Sequence, residues 1–228
     1  MNTILTDQNR PEMIRLLRAQ SVAYDQAKNV QFVELWAQVF SLVTPVIGIL
    51  ALPQTYERCA VLATTIFLVI NGATFLLGKK KTDIAANIQE QFDTALFKLP
   101  WQPLSKGEKV PIDDIVKLAK DCRRTDLTDW YSNEITLNIR HSNAVLLCQD
   151  SNLIWDASLR KLFKNHFITF SIIYYTLFVS YLIYVDKSFT ESLLILSPTF
   201  PFLLFSIITL YNVTDLIKEK RELSHEIK

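Results

Sequence analysis

The chain has 228 residues, of which 50% are hydrophobic and 21% are charged, and its formal net charge is +1. The charge is uneven, because four stretches of 18 to 21 residues contain no Asp, Glu, Lys, Arg or His. The near-neutral total is an average over two unlike kinds of segment, and this arrangement excludes a purely water-soluble fold.

The four uncharged stretches predict membrane-spanning helices. They comprise residues 35–52, 59–77, 167–185 and 193–213. A bilayer core of about 30 Å requires about 20 apolar residues in a helix. We therefore predict an all-α polytopic membrane protein with four transmembrane helices in two hairpins. Helix extensions and the central segment are expected to form a cytosolic helical body.

Five segments follow from these stretches: a cytosolic N-terminal helix (1–32), a first transmembrane hairpin (33–77), a cytosolic helical segment (78–166), a second transmembrane hairpin (167–213) and a cytosolic helical tail (214–228). The hairpin loops, 53–58 and 186–192, hold only Arg58 and Lys187 of the 24 Lys and Arg residues. Cytoplasmic loops carry the excess of such residues. We expect both termini and the central segment on the cytoplasmic side of a bacterial inner membrane.

The N-terminal arm has the start signals of a helix. Asn9 is suited to cap free amides, Pro11 fits a first helical turn, and Glu12 complements the positive helix end. No proline follows before Pro45. We therefore expect this helix to run into the first span.

The central segment predicts three or four helices, since there is neither Gly nor Pro between Pro111 and Pro198. One apolar stripe covers 84–99 and ends at Pro100. A second covers 112–122, a third 127–148, and a fourth begins at Ser151 and continues into the span at Phe167. Polar clusters at 124–126 and 149–152 are expected to interrupt them.

Recognisable catalytic chemistry is missing from the sequence. The four glycines do not cluster as a phosphate-binding loop requires, and the three histidines lack neighbouring metal ligands. We expect no enzyme activity, no metal and no cofactor. Neutral polar residues within the spans join helices or line a wet pathway. Pro45, Pro198 and Pro201 are expected to bend their helices.

Scattered residues carry a resemblance to a known family. They are Asn9-Arg10-Pro11, Ala19-Gln20, Tyr24, Ala27-Lys28, Gln89, Phe92-Asp93, Phe97, Leu99-Pro100-Trp101, Asp129-Trp130-Tyr131, Cys148-Gln149, Asn152, Trp155-Asp156 and Leu159-Arg160. In their order and spacing relative to the spans, the chain resembles the SMODS-associating four-transmembrane effectors of bacterial cyclic-oligonucleotide antiphage (CBASS) systems. Chains of this kind usually continue further past the fourth span.

The resemblance implies a membrane effector of antiphage defence. A cyclic oligonucleotide messenger would bind the cytosolic part, and the spans would then permeabilise the inner membrane in an abortive infection. The implied partners are the lipid bilayer, the cyclic oligonucleotide and further copies of the chain as a homo-oligomer. No binding to DNA or RNA duplexes is expected.

Such an anionic ligand would be held by cytosolic cations next to aromatic surfaces. Arg123 and Arg124, followed by Trp130 and Tyr131, form the best local combination. The second is Arg160 with Lys161, close to Trp155. The alternative for both is structural, since tryptophans often pack in a helical body and basic residues near a membrane often bind lipid phosphates.

Three other functions remain open at this stage. A structural or scaffolding membrane protein would use its cytosolic body to recruit a partner and its spans as an anchor. An ion-conducting channel unrelated to defence is another reading of the four spans. A membrane-embedded enzyme ranks last because no candidate catalytic residues are present.

Overall fold

The structure is a computed structural model that describes residues 2–51, 56–131, 139–186 and 188–227. These residues form helices and no strand, which confirms the predicted all-α fold. The helices are α1 (Ile4–Asp7), α2 (Pro11–Ala51), α3 (Tyr56–Phe97), α4 (Pro103–Lys106), α5 (Ile112–Lys120), α6 (His141–Tyr184), α7 (Phe189–Leu196) and α8 (Phe200–Ile227), with a 3-10 turn at Ser197–Thr199.

Four helical segments of the described chain are long and apolar enough to cross a membrane. They contain most of each predicted span, and the mean hydropathy of their apolar portions lies between 1.6 and 2.1. The α2 helix runs from Pro11 through the first uncharged stretch, so the expected continuous arm is confirmed. At about 1.5 Å per residue, α2, α3 and α6 are each about twice as long as a bilayer core is thick. Much of each helix must therefore lie outside the hydrocarbon.

The chain divides into two compact units. The body unit comprises Met1–Phe32 and Thr74–Ser151, and the span unit comprises Val33–Ala73 and Asn152–Lys228. Helices α2, α3 and α6 contribute residues to both units. The sidedness of the five predicted segments stays a prediction.

The body unit is held together by apolar side chains from α1, α2, α3, α5 and α6. Ile88, Phe92 and Leu96 are the members of the predicted α3 stripe that lie in the core, whereas Ala95 and Leu99 are exposed. Small residues of α2 and α3 allow close approach of the two helices. They are Ala19, Ala23 and Ala85, each at most 2% exposed.

The predicted helix over 127–148 is wrong in its first part. Residues 127–131 are not helical, 132–138 lie outside the described residues, and α6 begins only at His141. Leu127 and Tyr131 both insert into the core, and Asp129 takes a positive φ of 54°. Hydrogen bonds to side chains hold this stretch in place of helical backbone hydrogen bonds. The Asn9 side chain accepts a hydrogen bond from the Asp129 N–H, and the Gln8 side chain accepts one from the Tyr131 N–H.

Two further local predictions are corrected. The polar cluster at 149–152 does not interrupt a helix, since α6 runs through it without a break. The core residue Cys148 precedes the cluster and the buried Ala157 follows it, so packing on both sides favours a single helix. Asn9 does not cap α2, because its side chain bonds to Asp129 and the first α2 amides donate to the Arg10 carbonyl.

Hydrogen bonds from tyrosines join the helices of the span unit. The Tyr174 hydroxyl donates to the Leu42 carbonyl at 2.7 Å, and the Tyr56 hydroxyl donates to the Ile195 carbonyl at 3.1 Å. Two polar pairs also cross between helices, namely Gln38 with Asn71 at 2.7 Å and Thr64 with Ser197 at 3.2 Å. Most other span hydroxyls donate to a carbonyl of their own helix three or four residues earlier.

The prolines of the fourth span change the helix type locally. Pro198 lies within the 3-10 turn that separates α7 from α8. The Leu194 carbonyl that Pro198 cannot bond instead accepts the Ser197 hydroxyl at 2.8 Å. Pro45, by contrast, lies inside the continuous α2 helix.

We predict opposite effects of alanine at the two span glycines. A Cβ at Gly48 would overlap the Tyr56 ring, whereas a Cβ at Gly72 would meet no atom within 4 Å. Gly48→Ala should therefore lower the melting temperature of the detergent-purified protein, since overpacking typically costs about 1–3 kcal/mol. Gly72→Ala should leave the temperature unchanged or raise it, because alanine favours helix. Equal behaviour of the two variants would contradict the packing of Tyr56 on Gly48.

Candidate ligand cavity of the body unit

Two of the predicted ligand residues line one cavity of the body unit. The cavity has a volume of about 140 Å³. Arg124, Leu127 and Trp130 line it together with side chains of α2. We call this site the Trp130 cavity. Its α2 residues are Leu17, Gln20, Ser21, Tyr24, Asp25 and Lys28. Arg123 is exposed and does not line it.

The polar groups of the Trp130 cavity are only partly satisfied. Gln20 is 7% exposed, and its Oε1 accepts no hydrogen bond from the described residues. Lys28 lies 3.5 Å from Asp25, and Arg124 lies 3.5 Å from Asp126. These ion pairs are exposed and loose, so each contributes little. A buried acceptor without a partner is costly and indicates a place for a ligand or a water molecule.

Trp130 and Tyr24 supply the aromatic surfaces of the cavity. Trp130 is 43% exposed, so its indole is only partly packed in the body unit. The Tyr24 hydroxyl donates to Gln89 Oε1 at 2.8 Å, which fixes the ring at the cavity wall. A partly exposed indole in the same cavity as Arg124 is a candidate stacking surface for a flat ligand.

Tyr131 has a structural role instead of lining the cavity. Its ring packs against Phe97 at 5.5 Å between centroids, and its hydroxyl donates to Asp93 at 2.9 Å. Gln8 accepts the Tyr131 N–H at 2.8 Å and donates to the Tyr131 carbonyl. This double contact fixes the residue next to Trp130 and so positions the indole.

Among the described carboxyl groups of the body unit, Asp93 has the most strongly shifted pKa. It lies on α3, sixteen residues beyond the second uncharged stretch. Burial raises the pKa of its carboxyl to about 7; the hydrogen bond from Tyr131 opposes this effect and the Glu90 carboxylate adds to it. Near neutral pH this carboxyl is therefore partly protonated.

Among the described residues, Arg160 of the second predicted cluster lies in an ion-pair network. Arg160 bonds to Asp156 at 2.9 Å, and Lys220 of α8 bonds to the same carboxylate at 2.6 Å. Lys161 and Trp155 are exposed. The charge of Arg160 is thus used in an ion-pair network that joins α6 to α8.

Metal and cysteine chemistry adds no further site in the part of the chain that the structure describes. No group of three or more His, Cys, Asp or Glu side chains there could hold a metal ion. Cys59, Cys122 and Cys148 are free thiols. The expectation that the chain is not an enzyme stays a prediction.

Comparison with known proteins identifies the family. The profile of the SMODS-associating 4TM effector domain matches residues 2–228. The chain belongs to this family. It is also 27% identical over 214 residues to a probable CBASS effector molecule of Bacillus cereus (strain VD146), an alignment that covers 89% of this chain and 70% of that protein. No solved structure matches.

Family membership and the four spans together establish the general role. The protein is a membrane effector of antiphage defence. The resemblance drawn from the scattered sequence landmarks is confirmed.

The raised pKa of Asp93 predicts a pH dependence of stability. The native carboxyl stays protonated up to about pH 7, whereas the unfolded chain releases that proton near the ordinary pKa of 3.8. The unfolded state therefore binds fewer protons between these values, and stability should fall as pH rises from about 4 to about 7. Asp93→Asn keeps an acceptor for Tyr131 and should flatten this decline in melting temperature. Asp121→Asn, at an exposed acid, is the control, and an equally steep decline in Asp93→Asn would contradict the assignment.

Proposed function

We propose that this effector binds a cyclic oligonucleotide in the body unit and then permeabilises the bacterial inner membrane, causing abortive infection. The observation that carries the proposal is the Trp130 cavity, where Arg124 and Lys28 lie with two aromatic rings and an unpartnered amide oxygen. The similarity to a probable CBASS effector molecule supports the same class of messenger.

The cavity offers the three kinds of contact that a nucleotide needs. Arg124 and Lys28 attract phosphate groups, and arginine does so with paired hydrogen bonds. The Trp130 ring provides a stacking surface for a base. Gln20 Oε1 accepts a hydrogen bond from an exocyclic amino group, which would satisfy its buried lone pairs.

The size of the cavity implies that binding changes the protein. Its volume of about 140 Å³ is below the roughly 300–1,000 Å³ of most small-molecule sites. A whole cyclic oligonucleotide therefore requires the segment that carries Arg124 and Trp130 to move away from α2. Since the ligand fits only the widened arrangement, it binds that arrangement better and shifts the population toward it. The α2 helix supplies six of the nine residues that line this cavity, and it continues into the first uncharged stretch.

Permeabilisation requires several copies of the chain. Four helices enclose little water, and within the described spans most hydroxyls bond to their own helix rather than face a channel. The exposed apolar surface of the span unit is available to lipid and to neighbouring copies. A conducting path would thus form between protomers in a homo-oligomer.

The proposed orientation places the body unit in the cytoplasm and the hairpin loops outside. Ser105 and Ser188 are both exposed, the first in the central segment and the second in the loop of the second hairpin. In a variant with Cys59, Cys122 and Cys148 replaced by alanine, a membrane-impermeant maleimide should label Ser188→Cys in intact spheroplasts. Ser105→Cys should react only after permeabilisation, and the reverse pattern would refute the orientation.

Ligand-dependent leakage tests the proposed function directly. Protein reconstituted into dye-loaded liposomes should release dye when the cognate member of a panel of cyclic di- and trinucleotides is added. Arg124→Ala should raise the half-maximal ligand concentration by about tenfold or more, because it removes a charged hydrogen-bond donor. Trp130→Ala should act similarly and Trp130→Phe much less, since base stacking survives on a phenyl ring.

Arg123 is the matched control for Arg124. It is the adjacent arginine but lies outside the cavity, so Arg123→Ala should leave the half-maximal concentration within about twofold of the parent. Equal effects of the two substitutions would exclude the Trp130 cavity. Cell death on expression without leakage for any ligand of the panel would exclude direct gating.

A further inference from the structure

A second basic cavity lies on a neighbouring face of α2, and none of its residues figures in the sequence-based predictions of a ligand site. It lies between α2 and α5, has a volume of about 450 Å³ and is lined by Pro11, Ile14, Arg15, Arg18, Val116, Ala119 and Lys120. We call it the arginine groove. It shares no residue with the Trp130 cavity.

The arginine groove carries three positive charges and no carboxylate. Within the described residues, Arg15, Arg18 and Lys120 make no ion pair or side-chain hydrogen bond, whereas Arg10, Arg124 and Arg160 each lie next to an aspartate. The Glu12 and Asp121 side chains are close in sequence but do not line the groove. The side chains that line the groove therefore provide no negative charge to balance its three positive charges.

The position within its helix accounts for the positive charge of only one of the three basic residues. Lys120 lies in the last turn of α5, where the helix dipole favours a positive charge. Arg15 and Arg18 are three residues apart near the start of α2, where two like charges repel and the dipole offers no compensation. An anion held between them would remove this repulsion.

We infer that the arginine groove is a phosphate-binding site, distinct from the Trp130 cavity. Two guanidinium groups and one ammonium match the oxygens of a phosphate or pyrophosphate group. The apolar floor of Ile14, Val116 and Ala119 would contact the carbon skeleton that bears the phosphate. The inference holds whether or not the Trp130 cavity binds a messenger.

A soluble phosphate ester is a better occupant than a lipid headgroup. Twenty residues of unbroken helix separate Arg15 from residue 35, where the first uncharged stretch begins, a length of about 30 Å along α2. The polar headgroup region extends only about 6 Å beyond the hydrocarbon on each side. Both sources offer the same phosphate chemistry, and the two arms of the experiment distinguish them.

The first arm uses inorganic pyrophosphate and the full chain in detergent. Calorimetric titration should show binding that weakens with salt, as expected for exposed charges. The double substitution Arg15→Gln and Arg18→Gln should weaken it by about tenfold or more. Lys117→Gln removes an exposed charge of α5 outside the groove and should leave binding unchanged. Circular dichroism should show the same helix content in all variants.

The second arm titrates a short-chain phosphatidylglycerol in place of pyrophosphate. Binding of pyrophosphate that depends on Arg15 and Arg18 supports the site and its soluble occupant. Binding of the lipid alone, with the same dependence, supports the phosphate site and assigns it to a headgroup. Absence of binding in both arms, or binding that survives the double substitution, would overturn the inference.

Discussion

The structure depends on one constraint, which is that hydrocarbon cannot satisfy backbone amides and carbonyls. The four uncharged stretches must therefore be helical, and their own hydroxyls bond to carbonyls within the same helix. Because α2, α3 and α6 extend far beyond the uncharged stretches, the same helices also supply the core of the body unit. Residues of the proposed ligand site and residues of the uncharged stretches thus lie on continuous helices.

Six of the residues that carry the family resemblance form contacts with one another in the body unit. Asn9 exchanges two hydrogen bonds with Asp129, Tyr24 donates to Gln89, and Tyr131 donates to Asp93. The pairs with Asp129 and Tyr131, separated by 120 and 38 residues, fix a segment that is not helical, and the Tyr24–Gln89 pair joins α2 to α3. They hold Trp130 beside α2, so residues that looked scattered in the sequence act together on one cavity.

Features that depend on the residues of a single helix are predicted well from the sequence. Features that depend on contacts between distant segments are predicted poorly. The four spans, the arm helix and α5 follow from local periodicity and charge. The segment from Leu127 to Tyr131 does not, because its amides bond to Gln8 and Asn9, more than a hundred residues away. For the same reason Arg124 and Trp130 could be named as candidate ligand residues from the sequence. Gln20, Tyr24 and Lys28 are noted only as residues of the family resemblance, with no site assigned to them. The spacing of residues along α2 does not indicate which other segment of the chain packs against them.

The two basic cavities differ in how far the protein balances its own charge. In the Trp130 cavity, Asp25 and Asp126 lie close to the cations and would weaken their attraction for phosphate, so stacking on the indole would have to supply much of the selectivity of the proposed site. In the arginine groove the charge is uncompensated and the lining has no aromatic ring, which favours phosphate over a base. Both cavities include side chains of α2. An occupant of either would therefore act on the helix that continues into the first span.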